Sequence, residues 1–255
     1  MKLLVINPFG TNTYNQAVHN VLDKVKRNDT ELVVENLSRG LSFIRHAYFQ
    51  LLMTTDVVER IIRAENEDFD GVFVSCCFEP GVKEAREVVD IPVVGGSVPA
   101  VFLARQLGQR FGFITDTKRA DAQTYDLFKQ YKLDIECIGI KSIDMGAEEI
   151  KEEPEINQSK VIKVARQLVS NGADVIINGC TILAAFFNED NVPNDFKGIP
   201  ILNSNVCSLK YLEMLVDLHE KTNLTVSRKV YYAKPQDIEP EAFRKIRRIY
   251  GLPSL

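Results

Sequence analysis

The chain has 255 residues, 45% of them hydrophobic and 26% charged, with a formal net charge of −4. That length can bury one large core or two compact lobes, and an acidic balance without a Lys/Arg stripe excludes a nucleic-acid partner. No apolar run is long enough to span a bilayer, and the opening Met1-Lys2-Leu3-Leu4-Val5-Ile6 reaches Asn7-Pro8 too early for a signal segment, so no membrane association and a cytoplasmic location are expected.

In chain order, short runs rich in Val and Ile predict strands over 3–6, 32–34, 72–75, 93–95, 111–115, 135–140, 175–178 and 199–202. Helical periodicity between them predicts helices over 16–27, 43–66, 81–89, 97–107, 120–131, 159–171 and 206–220. Ser97 can cap the helix that carries Pro99, and Gly108 can stop it. Steady alternation of strand and helix implies an α/β fold with parallel sheets flanked by helices.

A seam near 95–109 divides the chain. On either side a strand runs into cysteine, at Cys76 and Cys180, and the next strand begins Ile-Pro, at Ile91-Pro92 and Ile199-Pro200. This predicts two pseudo-symmetric lobes: 1–96 with 203–235 in one, 97–202 in the other. The charge run 147–155 reads as a solvated helix start or loop. Residues 236–255 read as a C-terminal helical extension, with Ala242, Ile246, Ile249 and Tyr250 as its apolar face, packed on the outside of the molecule.

Five cysteines without CxxC spacing fit reduced thiols, and the solitary His19, His46 and His219 lack metal-site spacing, so no metal is expected. Cys137, inside a predicted strand, and Cys207, on an apolar helix face, fit burial as small hydrophobes. Cys76 and Cys180 differ because each closes a strand where α/β sheets bind ligands, and two lobes face to face would aim both thiols into one cleft. A thiol has an ordinary pKa of roughly 8.5, so both protonation states are reachable. Two thiols on opposite faces of a carbon can therefore remove a proton from one side and deliver one to the other. Asn7, Ser75 and Thr115, at other strand ends, are candidates to hold the substrate. The stretch 9-FGTNTYN-15 lacks the spacing of a phosphate loop.

Several segments in order resemble the aspartate/glutamate/hydantoin racemase superfamily, most closely its hydantoin/allantoin racemase branch. They are Ile6-Asn7-Pro8, Ser42-Phe43-Ile44 with Tyr48, 76-CCFEPGVKEARE-87, 93-VVGGSVPA-100 with 107-LGQRFGFIT-115, 172-GADVIINGCT-181 and 224-LTVSRKVYYAKP-235. The resemblance implies a racemase or epimerase that needs no cofactor, with Cys76 and Cys180 as the acid/base pair. It takes Cys76 rather than Cys77 as the first catalytic thiol, since that match to Glu79-Pro80-Gly81 needs no deletion; Cys77 then stands where an aromatic is usual. Val98 and Asn203 replace acidic residues of the branch, and Thr181 is similar to the Thr that helps hold a carboxylate in the amino-acid racemases. The substrate stays open between a hydantoin-like ring and an amino acid, with a maleate-type cis–trans isomerase as the alternative. Cys77 and Thr181 join the candidate binding residues, and a homo-oligomer is expected.

Overall fold

Every Val/Ile run named above contributes to a parallel strand in the computed structural model, which describes residues 1–253. The first sheet contains β1 (Lys2–Asn7), β2 (Glu31–Asn36), β3 (Gly71–Val74) and β4 (Val93–Val94) in the order β2-β1-β3-β4. The second contains β5 (Phe111–Thr115), β6 (Cys137–Ser142), β7 (Val175–Asn178) and β8 (Ile201–Asn203) in the order β6-β5-β7-β8. The two sheets thus have one topology used twice. Both central strands of each sheet are almost wholly apolar and buried, as a sheet covered on both faces requires.

In the first half the helices are α1 (Asn15–Asp23), α2 (Ala47–Asn66), α3 (Val82–Val88) and α4 (Val98–Leu107). In the second half they are α5 (Lys118–Tyr131), α6 (Ala147–Glu152), α7 (Pro154–Ser170), α8 (Thr181–Ala185) and α9 (Ser204–Thr222), followed by α10 (Pro235–Ile238) and α11 (Pro240–Ile249). Two of these helices cross between the sheets. α4 follows β4 but packs on β5, β7 and β8, while α9 follows β8 and packs on β3 and β4. α4 and α9 also pack on each other. The exchange holds the C-terminal ends of both sheets against one another.

Register makes the internal repeat exact to the residue. Ile6 pairs with Val74 in the first sheet and Ile114 with Asn178 in the second. Two residues beyond Val74 stands Cys76, and two beyond Asn178 stands Cys180. By the same count Cys77 is the counterpart of Thr181, Asn7 of Thr115, and Ser97 of Asn205.

Three sequence expectations are corrected. Strand β6 begins at Cys137, not Ile135, because Ile135 is 78% exposed and pairing with β5 starts at Phe111 with Cys137. Helix α2 begins at Ala47, four residues after the expected Phe43, since Phe43, Ile44 and Arg45 turn instead into the space between the lobes. The extension also presents a different face. Arg247 is buried and makes a bidentate pair with Glu59 of α2 at 2.7 Å for each bond, whereas Ala242, Ile246, Ile249 and Tyr250 face solvent. The charge run at 147–155 forms α6 and the start of α7, with Ala147 and Ile150 buried. No helix among the described residues is long and apolar enough to cross a membrane.

Candidate active site

Between the two sets of strand ends lies a cavity of about 40 Å³, lined by Cys76, Cys77, Cys180 and Thr181. Its apolar wall includes Phe9, Phe43, Phe78 and Ile182, and its charged lining is Arg45 and Asp116. That volume holds only a few waters, at roughly 10–15 Å³ each. The three thiols are 4%, 4% and 8% exposed in chain order, so the site is closed over them.

Each cysteine is held by a different local device. After β3 the chain turns sharply: the Cys76 carbonyl accepts from the amides of Glu79 and Gly96, both at 3.2 Å, and Glu79 and Gly81 take positive φ before α3 begins. A Cβ on Gly96 would come to 3.0 Å from both the Cys76 carbonyl oxygen and the Thr181 methyl, so a larger residue there would force the cysteine loops to shift. After β7, Gly179 passes so near the Phe113 ring that a Cβ would lie 2.0 Å from it. Cys180 then caps α8 directly. Cys180 thus stands at a helix N-terminus, whereas Cys76 belongs to a turn, six residues ahead of the first residue of α3.

Hydrogen bonds fix the two cysteine loops to each other. Thr181 Oγ1 donates to the Ser75 carbonyl at 2.9 Å, Ser75 Oγ to Asn205 Oδ1 at 3.2 Å, and Asn205 Nδ2 to the Thr181 carbonyl at 2.7 Å. Ser97, the counterpart of Asn205, donates through Oγ to the Cys77 carbonyl at 2.7 Å. The same clamp thus holds the residue after each strand-end cysteine. Glu79 completes the arrangement by accepting from the amides of Ser97 and Val98 at 2.9 and 2.8 Å, which places a carboxylate at the start of α4.

Of the candidate residues, Cys76, Cys77, Cys180 and Thr181 meet in the cavity lining, while Asn7, Ser75 and Thr115 do not line it. Asn7 is fully buried and donates to Asn15 Oδ1 at 2.8 Å, and its own Oδ1 has no partner among the described residues. Thr115 Oγ1 bonds the Asp121 carboxylate of α5. These residues brace the walls from beneath.

Two charged residues escaped the sequence reading. Asp116 follows Thr115 at the end of β5, and its carboxyl is pushed above the usual carboxylate range by burial, against the pull of the Thr117 amide and hydroxyl and of nearby Arg45. Arg45 reaches in from the loop between β2 and α2, its Nη2 3.3 Å from Glu148 of α6. The same carboxylate accepts from Ser42 Oγ, so the loop is latched to the opposite lobe. An acidic residue just past a strand end was a legible signal for Asp116; nothing in 43-FIR-45 told that its arginine would turn inward.

The thiol of Cys77 sits against those of Cys180 and Cys76, and that contact, with burial, holds its pKa above the usual thiol range. Burial pushes Cys137 up to about 11 and Cys207 up to about 12. Among the described residues no three His, Cys, Asp or Glu side chains are disposed to hold a metal ion. The segment 224–235 lies elsewhere: Arg228 Nη1 donates to the Arg86 carbonyl at 2.7 Å and Nη2 to Asp90 at 2.8 Å, fastening the tail to the end of α3 and not over the cavity.

The model of the Asp/Glu/Hydantoin racemase family matches residues 3–212. Hydantoin racemase of a Pseudomonas species is 30% identical over 224 residues, covering 88% of this chain and 89% of that protein. Hydantoin racemase of Paenarthrobacter aurescens is 26% identical over 239 residues, 93% of this chain and 98% of that protein. Among solved structures, allantoin racemase from Klebsiella pneumoniae superposes with a TM-score of 0.83 at 24% identity, covering 92% of this chain and 94% of that one. Allantoin racemase from Pseudomonas fluorescens gives 0.84 at 23% identity, with 92% and 97% covered, and both likenesses are of fold.

Proposed function

The chain belongs to the Asp/Glu/Hydantoin racemase family, an isomerase on that ground, and we propose that it racemises a hydantoin-like ring without a cofactor, with Cys76 and Cys180 as the acid/base pair. The observation that carries the reading is the internal repeat: register-equivalent cysteines, one from the end of a strand in each sheet, line a single small cavity.

In the reaction one cysteine, as thiolate, takes the proton from the carbon beside a ring carbonyl. The other, as thiol, returns a proton to the opposite face, and the next turnover runs in reverse. The enolate-like state needs fixed donors, which the open first turn of α8 and the Arg45 guanidinium can supply. Asp116 suits a ring N–H as acceptor. Thr181 keeps the Cys180 loop in place, and Asn7, Ser75 and Thr115 support the strand ends beneath. The apolar wall formed by Phe9, Phe43 and Phe78 favours a ring over a zwitterionic amino acid, because a doubly charged substrate would lose its hydration there without enough paired groups.

Substrate must enter by displacing the loop that carries Ser42 and Arg45, since the cavity is far below the roughly 300 Å³ of a small-molecule site. Five free thiols among the described residues support a reducing, cytoplasmic setting. Ile246, Ile249 and Tyr250, at 49, 66 and 72% exposed, support assembly as a homo-oligomer. The deciding experiment is polarimetry of single-enantiomer hydantoins, allantoin and amino acids with purified protein and no added cofactor. Loss of optical rotation with a hydantoin is expected. Activity that depends on pyridoxal phosphate or a metal, or on none of these compounds, would overturn the reading.

A further inference from the structure

We propose that Cys77 and Cys180 form a reversible disulfide across the two lobes, so that the cavity is a site of oxidation by hydroperoxides. The racemase mechanism uses one thiol from each sheet and leaves Cys77 without a task. Yet Cys77 is as buried as Cys76, lines the same cavity and rests against the thiol of Cys180.

The repeat makes the feature sharper. Thr181, the counterpart of Cys77, spends its hydroxyl proton on the Ser75 carbonyl. Cys77 makes no such bond among the described residues, and its thiol lies beside those of Cys180 and Cys76. Its backbone is fixed by Ser97 and that of Thr181, the residue after Cys180, by Asn205, each through a 2.7 Å bond, so the loops that carry Cys77 and Cys180 are both held in the lining of one small cavity. Cys76 is the poorer partner for Cys77. Consecutive Cα atoms stand about 3.8 Å apart, below the range of roughly 4.4–6.8 Å that disulfides prefer.

The chemistry balances with a hydroperoxide as oxidant. The Cys180 thiolate attacks the peroxide; an S–O bond forms, the O–O bond breaks, and the alcohol or water leaves, giving a sulfenic acid. Cys77 then attacks that sulfur. The S–S bond forms, the S–O bond breaks, and the hydroxyl departs as water with the Cys77 proton. Cys77 holds its proton more tightly than an ordinary thiol, which disfavours it as the first nucleophile, and it attacks the sulfenic sulfur only as that proton is given up to the departing hydroxyl. Hydrogen peroxide is small enough for a cavity that admits a few waters.

The consequence for turnover rests on the racemase reading, because the crosslink removes Cys180 and joins the lobes through the cavity; the crosslink itself does not. The test therefore reads mass first. Folded protein is treated briefly with hydrogen peroxide, blocked with iodoacetamide and mapped by peptide fragmentation. A link between Cys77 and Cys180, the loss of two hydrogens and full reversal by dithiothreitol are expected. Cys76→Ser should still crosslink. Cys77→Ser and Cys77→Ala, each checked for native circular dichroism, should instead accumulate oxygen on Cys180. A link to Cys76, or oxygen adducts without a crosslink in the unsubstituted protein, would overturn the proposal. Polarimetry on the same samples separates the two ideas: racemisation should fall in step with the crosslinked fraction and return on reduction. Protein that crosslinks yet never racemises any hydantoin would remove the racemase reading and leave the disulfide standing.

Discussion

Thr181 Oγ1 donates to the Ser75 carbonyl oxygen at 2.9 Å, tying the residue after one strand-end cysteine to the residue before the other. Asn205 closes the circuit, since it bonds both Ser75 and Thr181 from the start of α9, a helix that follows the second sheet and packs on the first. These buried hydrogen bonds between the lobes, together with the packing of α4 and α9, fix the separation of the two cysteine loops. Proton transfer to opposite faces of one carbon depends on that separation.

Asn205→Ala tests this dependence. The substitution strips a donor from the Thr181 carbonyl and an acceptor from the Ser75 hydroxyl, both buried, at a cost of about 1–3 kcal/mol for each group left unsatisfied. A lower urea midpoint is expected. Racemisation should fall chiefly in kcat, because both thiols remain but no longer flank the carbon at the right distance. A variant that loses stability and keeps the full kcat would show that the circuit serves folding alone.

Thiol labelling distinguishes the cavity from the core. With pKa values near 11 and 12, Cys137 and Cys207 hold at most about one part in a thousand as thiolate at pH 8. Brief iodoacetamide treatment should therefore mark Cys76 and Cys180 first, and a substrate analogue should protect both. Glu148→Ala, which frees Ser42 and Arg45, should speed that labelling about two- to five-fold, the range of an exposed ion pair. Preferential labelling of Cys137 or Cys207 would place the reactive thiols outside the cavity.

Asp116 links function to stability. Its carboxyl pKa is raised above the unfolded value, mainly by burial, so the native state resists the charge. The penalty is absent in acid and grows as pH rises through the unfolded pKa, reaching its full size above the folded one. Asp116→Asn should remove it. The variant should be more stable than the parent at pH 7 and no more stable near pH 3, while kcat/KM drops because the ring N–H loses a charged acceptor. Equal stability gains at both pH values would mean that charge burial is not the cause.

The strands and the pairing of Cys76 with Cys180 were legible because apolar runs and the position of a residue at a strand end are local properties of a sequence. The clamps were not. Ser97 reads as an ordinary cap and Asn205 as an undistinguished polar residue, and only the exchange of α4 and α9 between sheets brings them to the cysteine loops. Periodicity likewise placed Ile246, Ile249 and Tyr250 on the inner face of the last helix. A buried Glu59–Arg247 pair turns that helix the other way, which an apolar pattern cannot foresee.

The two-thiol mechanism makes a prediction that no single-base enzyme shares. Each thiol touches one face, so Cys76→Ser or Cys180→Ser should nearly abolish racemisation, since a hydroxyl is a far weaker acid and base at neutral pH and proton abstraction falls by several powers of ten. The thiolate that remains can still remove a proton from the enantiomer it faces and return it to the same side. In heavy water each variant should therefore exchange deuterium into one enantiomer without inverting it, and the two variants should select opposite enantiomers. Proton NMR of the ring C–H, with chiral chromatography of the same samples, reads both quantities. Exchange into the same enantiomer by both variants would put the two sulfurs on one face of the substrate, and wild-type racemisation by either variant would remove that cysteine from the chemistry.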